Sequence, residues 1–221
     1  MQLSRPEGVL ASGSPQRAEI LRKLGLEFEV VVSGVAELSG GDPELEVLEN
    51  ARRKARAVAE SASPAGGMGQ GGRGQPVDCP RAPLPHERTR GRPAFVIACD
   101  TDVVLDGRAL GKPADAADAR RYLDRMSGRA HTVMSGLVVL ADGEERSGLE
   151  RTTVVFKALS DAEKERYVAF GEWQGRSGGY AIQTLGSTLV ERVEGSVSNV
   201  VGLPVGLLLE LAPGLLSTTH G

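Results

Sequence analysis

An α/β domain is what the sequence predicts, and three observations predict it. Apolar runs of strand length recur along the chain, the clearest being FVIAC at 95–99. Between them lie stretches with apolar residues at helical spacing, most plainly Leu45, Leu48, Ala51, Ala55 and Val58. Turn and cap residues separate the two patterns, as where Ser160 is followed three positions later by Glu163.

In chain order, Val9 to Ala11 reads as the end of a short first strand. SGSP then turns into a helix with Pro15 as its first residue, a position where the missing N–H costs nothing, and Gly25 stops it. Leu26 to Val32 alternates Phe28, Val30 and Val32 with Glu27 and Glu29, a strand with one solvated face. A long helix follows from Pro43 to about Ala62 and carries Lys54 close to its buried side. From Ser63 to Pro93 the pattern vanishes: seven Gly and six Pro in this segment predict a flexible surface insertion in a single domain spanning 1–221. Gly67, Gly69 and Gly72 inside it match GxGxxG, but no strand precedes them and no helix follows, which excludes a dinucleotide site.

After the strand ending near Asp100 comes a further short extended segment and a turn at Asp106-Gly107. A helix then presents Ala119, Leu123 and Met126 on one face, with Asp115 or Asp118 at its electropositive start. Thr132 to Leu140 and Thr152 to Phe156 read as strands, with a turn at Ala141 to Gly143 after the first. The Ser160 capping box opens an amphipathic helix to Phe170; short strands around Tyr180 to Gln183 and Thr188 to Val193, a turn, and a helix from about Pro204 complete the chain.

Composition narrows the function classes. With 221 residues, 40% hydrophobic, the chain can bury a real core. A net charge of −3 sets up no field toward nucleic acid or a membrane surface. The most apolar tail segment, Val200 to Leu211, is too short to span a bilayer and contains Pro204, and the start lacks a secretory pattern, so a cytoplasmic protein is expected. Cys79 and Cys99 are too far apart for a thiolate metal knuckle, and Cys99 reads as a buried small hydrophobe.

The polar residues that carry chemistry gather around FVIACDTDVVLDGRALGKP at 95–113. Asp100 and Asp102 end an apolar strand on one face, where carboxylates are costly to bury without a partner. They could hold Mg²⁺, with water, substrate or Glu37 completing the shell; the competing readings are a turn or cap residue for Asp100 and, favoured for Asp102 taken alone, a structural or solvent-facing residue. Lys54, Lys112 and Arg17 could neutralise a polyphosphate, with Ser12 and Ser14 as neighbouring hydroxyl donors; the alternative for Lys54 is a side chain extending past a helix flank to water. His131 has no second histidine near it and reads as a hydrogen-bonded core or sheet-edge residue, and Trp173 as a packing anchor. These residues alone point to phosphate chemistry with a metal and do not name the bond broken.

Eight blocks in order resemble the Maf-like nucleoside triphosphate pyrophosphatases: LASGSPQR at 10–17, VAE ending at Glu37, ARRKA around Lys54, the strand and GKP at 97–113, MSGRAHTV at 126–133, TTVVF at 152–156, GEWQGRSGGYAIQTLG at 171–186 and GSVSNVVGLP at 195–204. The resemblance implies an elongated mixed-sheet fold, similar to ITPases, with two lobes flanking a deep nucleotide cleft. It implies hydrolysis of a nucleoside triphosphate to the monophosphate and pyrophosphate with Mg²⁺ or Mn²⁺. The family's catalytic aspartate falls on Asp100, its cleft glutamate on Glu37 and its phosphate-facing lysines on Lys54 and Lys112, with Glu37 and Asp100 as metal ligands. Ser12 and Arg17 match its amino-terminal serine and second arginine, and Arg17, Thr101 and Gln183 resemble the dTTP/UTP subgroup. A glutamine amide offers both donor and acceptor to a pyrimidine edge.

Some positions depart from the family pattern: Gln16 stands for an arginine, Asp102 for an aliphatic residue, Trp173 for a proline, and Gly175-Arg176 for an Asp-Lys pair. The resemblance is compatible with a homodimer, although no patch in the sequence demands one. Two other readings remain at this point, a non-enzymatic nucleotide-binding regulator of cell division and a haloacid-dehalogenase-like phosphatase using DTD at 100–102.

Overall fold

The computed structural model describes residues 8–62 and 93–216. The expected insertion therefore lies, apart from Pro93, outside the described residues. The described chain forms seven strands in one mixed sheet and six helices: β1 (Gly8–Leu10), α1 (Pro15–Lys23), β2 (Phe28–Val30), α2 (Pro43–Ala62), β3 (Phe95–Leu105), β4 (Arg108–Ala109), α3 (Ala116–Met126), β5 (Ala130–Ala141), β6 (Glu144–Phe156), α4 (Asp161–Phe170), β7 (Val190–Glu194), α5 (Val197–Val201) and α6 (Val205–Leu211). The strand order is β2-β1-β3-β5-β6-β7, with β4 off the free end of β3. β2, β1 and β3 run parallel, and the pairs β3-β5, β5-β6 and β6-β7 are antiparallel.

Local chemistry explains the helix starts. Ser14 accepts from the Arg17 N–H, Asp42 from the Glu44 N–H at 2.9 Å and Asp115 from the Asp118 N–H at 2.7 Å, each satisfying a donor the helix cannot. The reciprocal Ser160/Glu163 capping box is formed. With Lys157, it holds the Glu163 carboxyl down to about 2. Both Asp-Gly pairs make tight hairpin turns, because Asp106-Gly107 and Asp142-Gly143 each put two consecutive residues at positive φ.

Alternation along β3 sends its side chains into three clusters. Ile97 and Cys99 pack with Leu10, Leu21, Leu203 and Leu208 beneath α1 and α6. Val96 and Ala98 point the other way and meet Ala51, Ala55 and Val58 of α2. Further along, Val103 and Leu105 enter a cluster built with Leu123, Met126, Phe156 and Tyr167 from α3, β6 and α4. Burial of β3 is interrupted only at Asp100, Thr101 and Asp102, where one half of the molecule gives way to the other.

Four elements differ from the sequence reading. β3 is one continuous strand through Leu105 rather than two extended pieces. β6 begins at Glu144, eight residues before the expected Thr152, because Glu144 to Arg151 is a largely solvated hairpin arm paired with β5 and its charges hide the strand signal. Tyr180 to Gln183 is irregular, following a 3₁₀ turn at Ser177–Gly179, so these residues line a wall instead of pairing in the sheet. α4 buries Tyr167 and the Lys164 stem and leaves Phe170 63% exposed, a narrower apolar face than its sequence suggested.

Candidate active site

The interruption in β3 is the floor of a cleft of about 770 Å³. All eight residues singled out in the sequence line it: Ser12, Arg17, Glu37, Lys54, Asp100, Thr101, Lys112 and Gln183. Side-chain alternation divides the floor in two. Asp100 lies on the α2 face of the strand, and Thr101 on the α1 face.

On the α2 face a single ammonium joins two carboxylates. Lys54 Nζ lies 2.7 Å from Asp100 Oδ1 and 2.5 Å from Glu37 Oε1. Asn50, one helical turn before Lys54, donates from Nδ2 to Asp100 Oδ2 at 3.0 Å. α2 can come this close because the residue paired with Asp100 across the sheet is Gly136. A Cβ there would sit 2.4 Å from the Val47 carbonyl oxygen and 2.5 Å from the Leu48 Cα.

The α1 face holds a buried cation with no carboxylate within ion-pair distance among the described residues. Arg17 donates from Nε to the Gly202 carbonyl at 2.8 Å, from one terminal nitrogen to Ser12 Oγ at 2.9 Å and from the other to Thr101 Oγ1 at 2.9 Å. Thr101 Oγ1 is also 2.8 Å from Ser135 Oγ and 3.3 Å from the Gly202 carbonyl. Neutral dipoles fix the guanidinium while its full positive charge stays available at the cleft, an arrangement that suits an anionic ligand. The Thr101 hydroxyl is spent in this network, so it acts by holding Arg17.

Asp102 leaves the group. Its Oδ1 accepts from the Ser177 hydroxyl and from the Val103 N–H at 3.0 Å, tying β3 to the 177–179 turn. Burial pushes the Asp102 carboxyl above its usual range, opposed by the Ser177 hydrogen bond. The geometry therefore sets Asp102 apart from Asp100 and gives no support to a paired DxD nucleophile.

Lys112 follows Gly111 at φ +65° on the rim and is exposed, with no ion pair to a described residue. Gln183 is also exposed, on the irregular wall next to Ala181 and Tyr180. With its amide oxygen turned toward the guanidinium, Gln16 accepts from Arg176 at 3.2 and 3.3 Å, and Arg176 Nε donates to the Glu172 carbonyl at 2.9 Å. Trp173 donates to the Val168 carbonyl and packs against the α3/α4 cluster, the anchoring role expected of it. His131 is buried and hydrogen-bonded to Tyr180 Oη at 2.8 Å, with burial holding it down to about 4. Cys99 is fully buried.

The donor set suits a hard divalent cation. Glu37 and Asp100 already enclose one positive charge, and Mg²⁺ commonly takes one or two carboxylates and completes its shell with phosphate oxygens and water. No group of three or more His, Cys, Asp and Glu fit to hold a metal occurs among the described residues.

Sequence reasoning missed Asn50, Ser135 and the Gly202 carbonyl. Only Asn50 left a signal, its i, i+4 relation to Lys54; the other two reach the floor through sheet register and a distant turn.

A model of the family described as Maf-like protein matches residues 7–214. A protein of Deinococcus radiodurans named dTTP/UTP pyrophosphatase is 43% identical over 210 residues, 95% of this chain and 93% of that protein. Proteins of the same name from Geotalea uraniireducens and Pelotomaculum thermopropionicum are 40% and 38% identical, each match covering 93% of this chain and 93% and 94% of the relative.

Proposed function

The chain belongs to the Maf-like protein family, and on that premise we propose that it is a nucleoside triphosphate pyrophosphatase that hydrolyses dTTP and UTP to the monophosphate and pyrophosphate. The observation that carries the reading is the cleft floor itself: Asp100 held between Lys54 and Asn50, beside an Arg17 charge with no counter-ion among the described residues. A triphosphate supplies that counter-charge.

Asp100 positions or deprotonates the attacking water, each of its oxygens keeping an acceptor site beyond the Lys54 and Asn50 contacts. The bond broken joins the α-phosphorus to the bridging oxygen of the departing pyrophosphate. Lys54, Lys112 and Arg17 offset the charge that grows on that leaving group, each contributing about 2–4 kcal/mol to transition-state stabilisation. Glu37 shares the Lys54 ammonium and, with Asp100, would hold Mg²⁺ or Mn²⁺. When bound, that cation supplies charge neutralisation and a template for the phosphate oxygens. Ser12 and Thr101 fix the guanidinium, and Gln183 reads the base from the exposed wall. The partner we assign is the nucleotide, with no nucleic acid, in the cytoplasm; no described helix is long and apolar enough to cross a membrane.

Incubating the protein with dTTP or UTP and Mg²⁺ or Mn²⁺ should release pyrophosphate and the monophosphate in equal amounts. Orthophosphate as the sole phosphate product would instead identify a phosphatase, and tight nucleotide binding without product a regulator.

A further inference from the structure

Asn50 is 4% exposed and uses every hydrogen-bonding group of its side chain. Its Oδ1 accepts from the Leu38 N–H at 2.7 Å, and its Nδ2 donates both to the Leu38 carbonyl at 3.1 Å and to Asp100 Oδ2 at 3.0 Å. The amide thus clamps one residue of the loop between β2 and α2 on both backbone groups. That residue follows Glu37 directly, and the same amide holds the second oxygen of Asp100. Lys54 makes the other connection, from Asp100 Oδ1 to Glu37 Oε1.

Two α2 side chains one turn apart therefore close a ring through Glu37 and Asp100. The Lys54 arm is a charged contact between flexible atoms, able to move when phosphate arrives. The Asn50 arm is neutral, buried and bound to backbone, so it can keep the two carboxylates in place while Lys54 turns to the substrate. We propose that Asn50 is a positioning residue for the reaction, fixing the orientation of the Asp100 carboxylate and the place of the Glu37 loop relative to it. The assignment rests on the pyrophosphatase reading above.

A residue that only pinned the loop would affect folding or substrate affinity; one that aims Asp100 affects turnover. Asn50→Ala removes both arms of the amide. Asn50→Asp keeps the volume and the acceptor for the Leu38 N–H, but replaces Nδ2, the donor to both Asp100 and the Leu38 carbonyl, with a carboxylate oxygen. Steady-state kinetics with dTTP, corrected for folded fraction, should show kcat reduced at least ~30-fold in both variants with KM within about threefold of wild type. Hydrogen exchange of peptides covering 36–42 should be faster in Asn50→Ala and nearer wild type in Asn50→Asp. If the alanine variant fails to fold, the isosteric aspartate variant carries the test. Turnover within about twofold of wild type in Asn50→Asp, or a loss confined to KM, would overturn the proposal. Absence of wild-type turnover would instead strike the pyrophosphatase reading, and this assignment with it.

Discussion

At the scale of single residues, Asp100 is the position on which the proposed reaction depends. Asp100→Asn keeps the shape but removes the charge that faces Lys54, so kcat should fall at least ~100-fold while the far-ultraviolet circular dichroism is unchanged. Near-normal turnover would refute its role. His131 makes a different prediction. Buried against Phe156 and Tyr180, it is held down to about 4 in the folded protein, against about 6.5 when unfolded. The unfolded chain binds the extra proton between those values, so this contribution is fully present above about pH 6.5 and is lost as pH falls toward 4. It amounts to at most about 3 kcal/mol. Urea midpoints measured from pH 7 to 4.5 should decline in the wild type and decline less in His131→Phe; equal slopes would count against it.

At the scale of elements, α2 owes its position to an absent side chain. Gly136→Ala would drive a Cβ into the Val47 carbonyl, costing about 1–3 kcal/mol and displacing Asn50 and Lys54 from Asp100. Activity of the folded variant should drop at least about tenfold, since small misplacements of catalytic groups are expensive; an unchanged kcat/KM would show that α2 is not held by this contact. α2 itself was legible in the sequence, from Pro43 to Ala62, because its apolar residues repeat at helical spacing over many turns. The close approach at Gly136 was not, because a glycine between Ser135 and Leu137 looks the same whether it faces solvent or a helix backbone. The outer arm of β6 was hidden for a related reason. Its partner is a neighbouring strand and water, so its sequence needs no apolar alternation.

For the whole molecule, the cleft stands where the clusters on either side of Asp100–Asp102 meet, so a nucleotide bound there would touch both halves at once. A non-hydrolysable dTTP analogue at about 100 times its Kd should raise stability by about 2.7 kcal/mol in thermal unfolding. Asn50, Ser135 and Gly202 come from three separate segments, and apart from the i, i+4 relation of Asn50 to Lys54 no local pattern in them announces a common site. The eight residues recognised from motifs did converge, since each motif also carries its own backbone geometry, such as the helix start at Ser14 or the positive φ of Gly111.

The long strands have a mechanical consequence. β3 and β5 each run without a break from one cluster to the other, and β6 pairs with β5 along nearly its whole length; each of the two ladders, β3 with β5 and β5 with β6, spans ten or more residue pairs. Such a plate is stiff, and bending it would tear ladder bonds on both sides of the cleft. A jaw-like swing of the two halves would therefore be resisted by the ladder. The accommodation a triphosphate requires would then fall to exposed side chains on the rim, such as Lys112 and Gln183, while the strand ladder and the Asn50 clamp on Leu38 hold the floor between them.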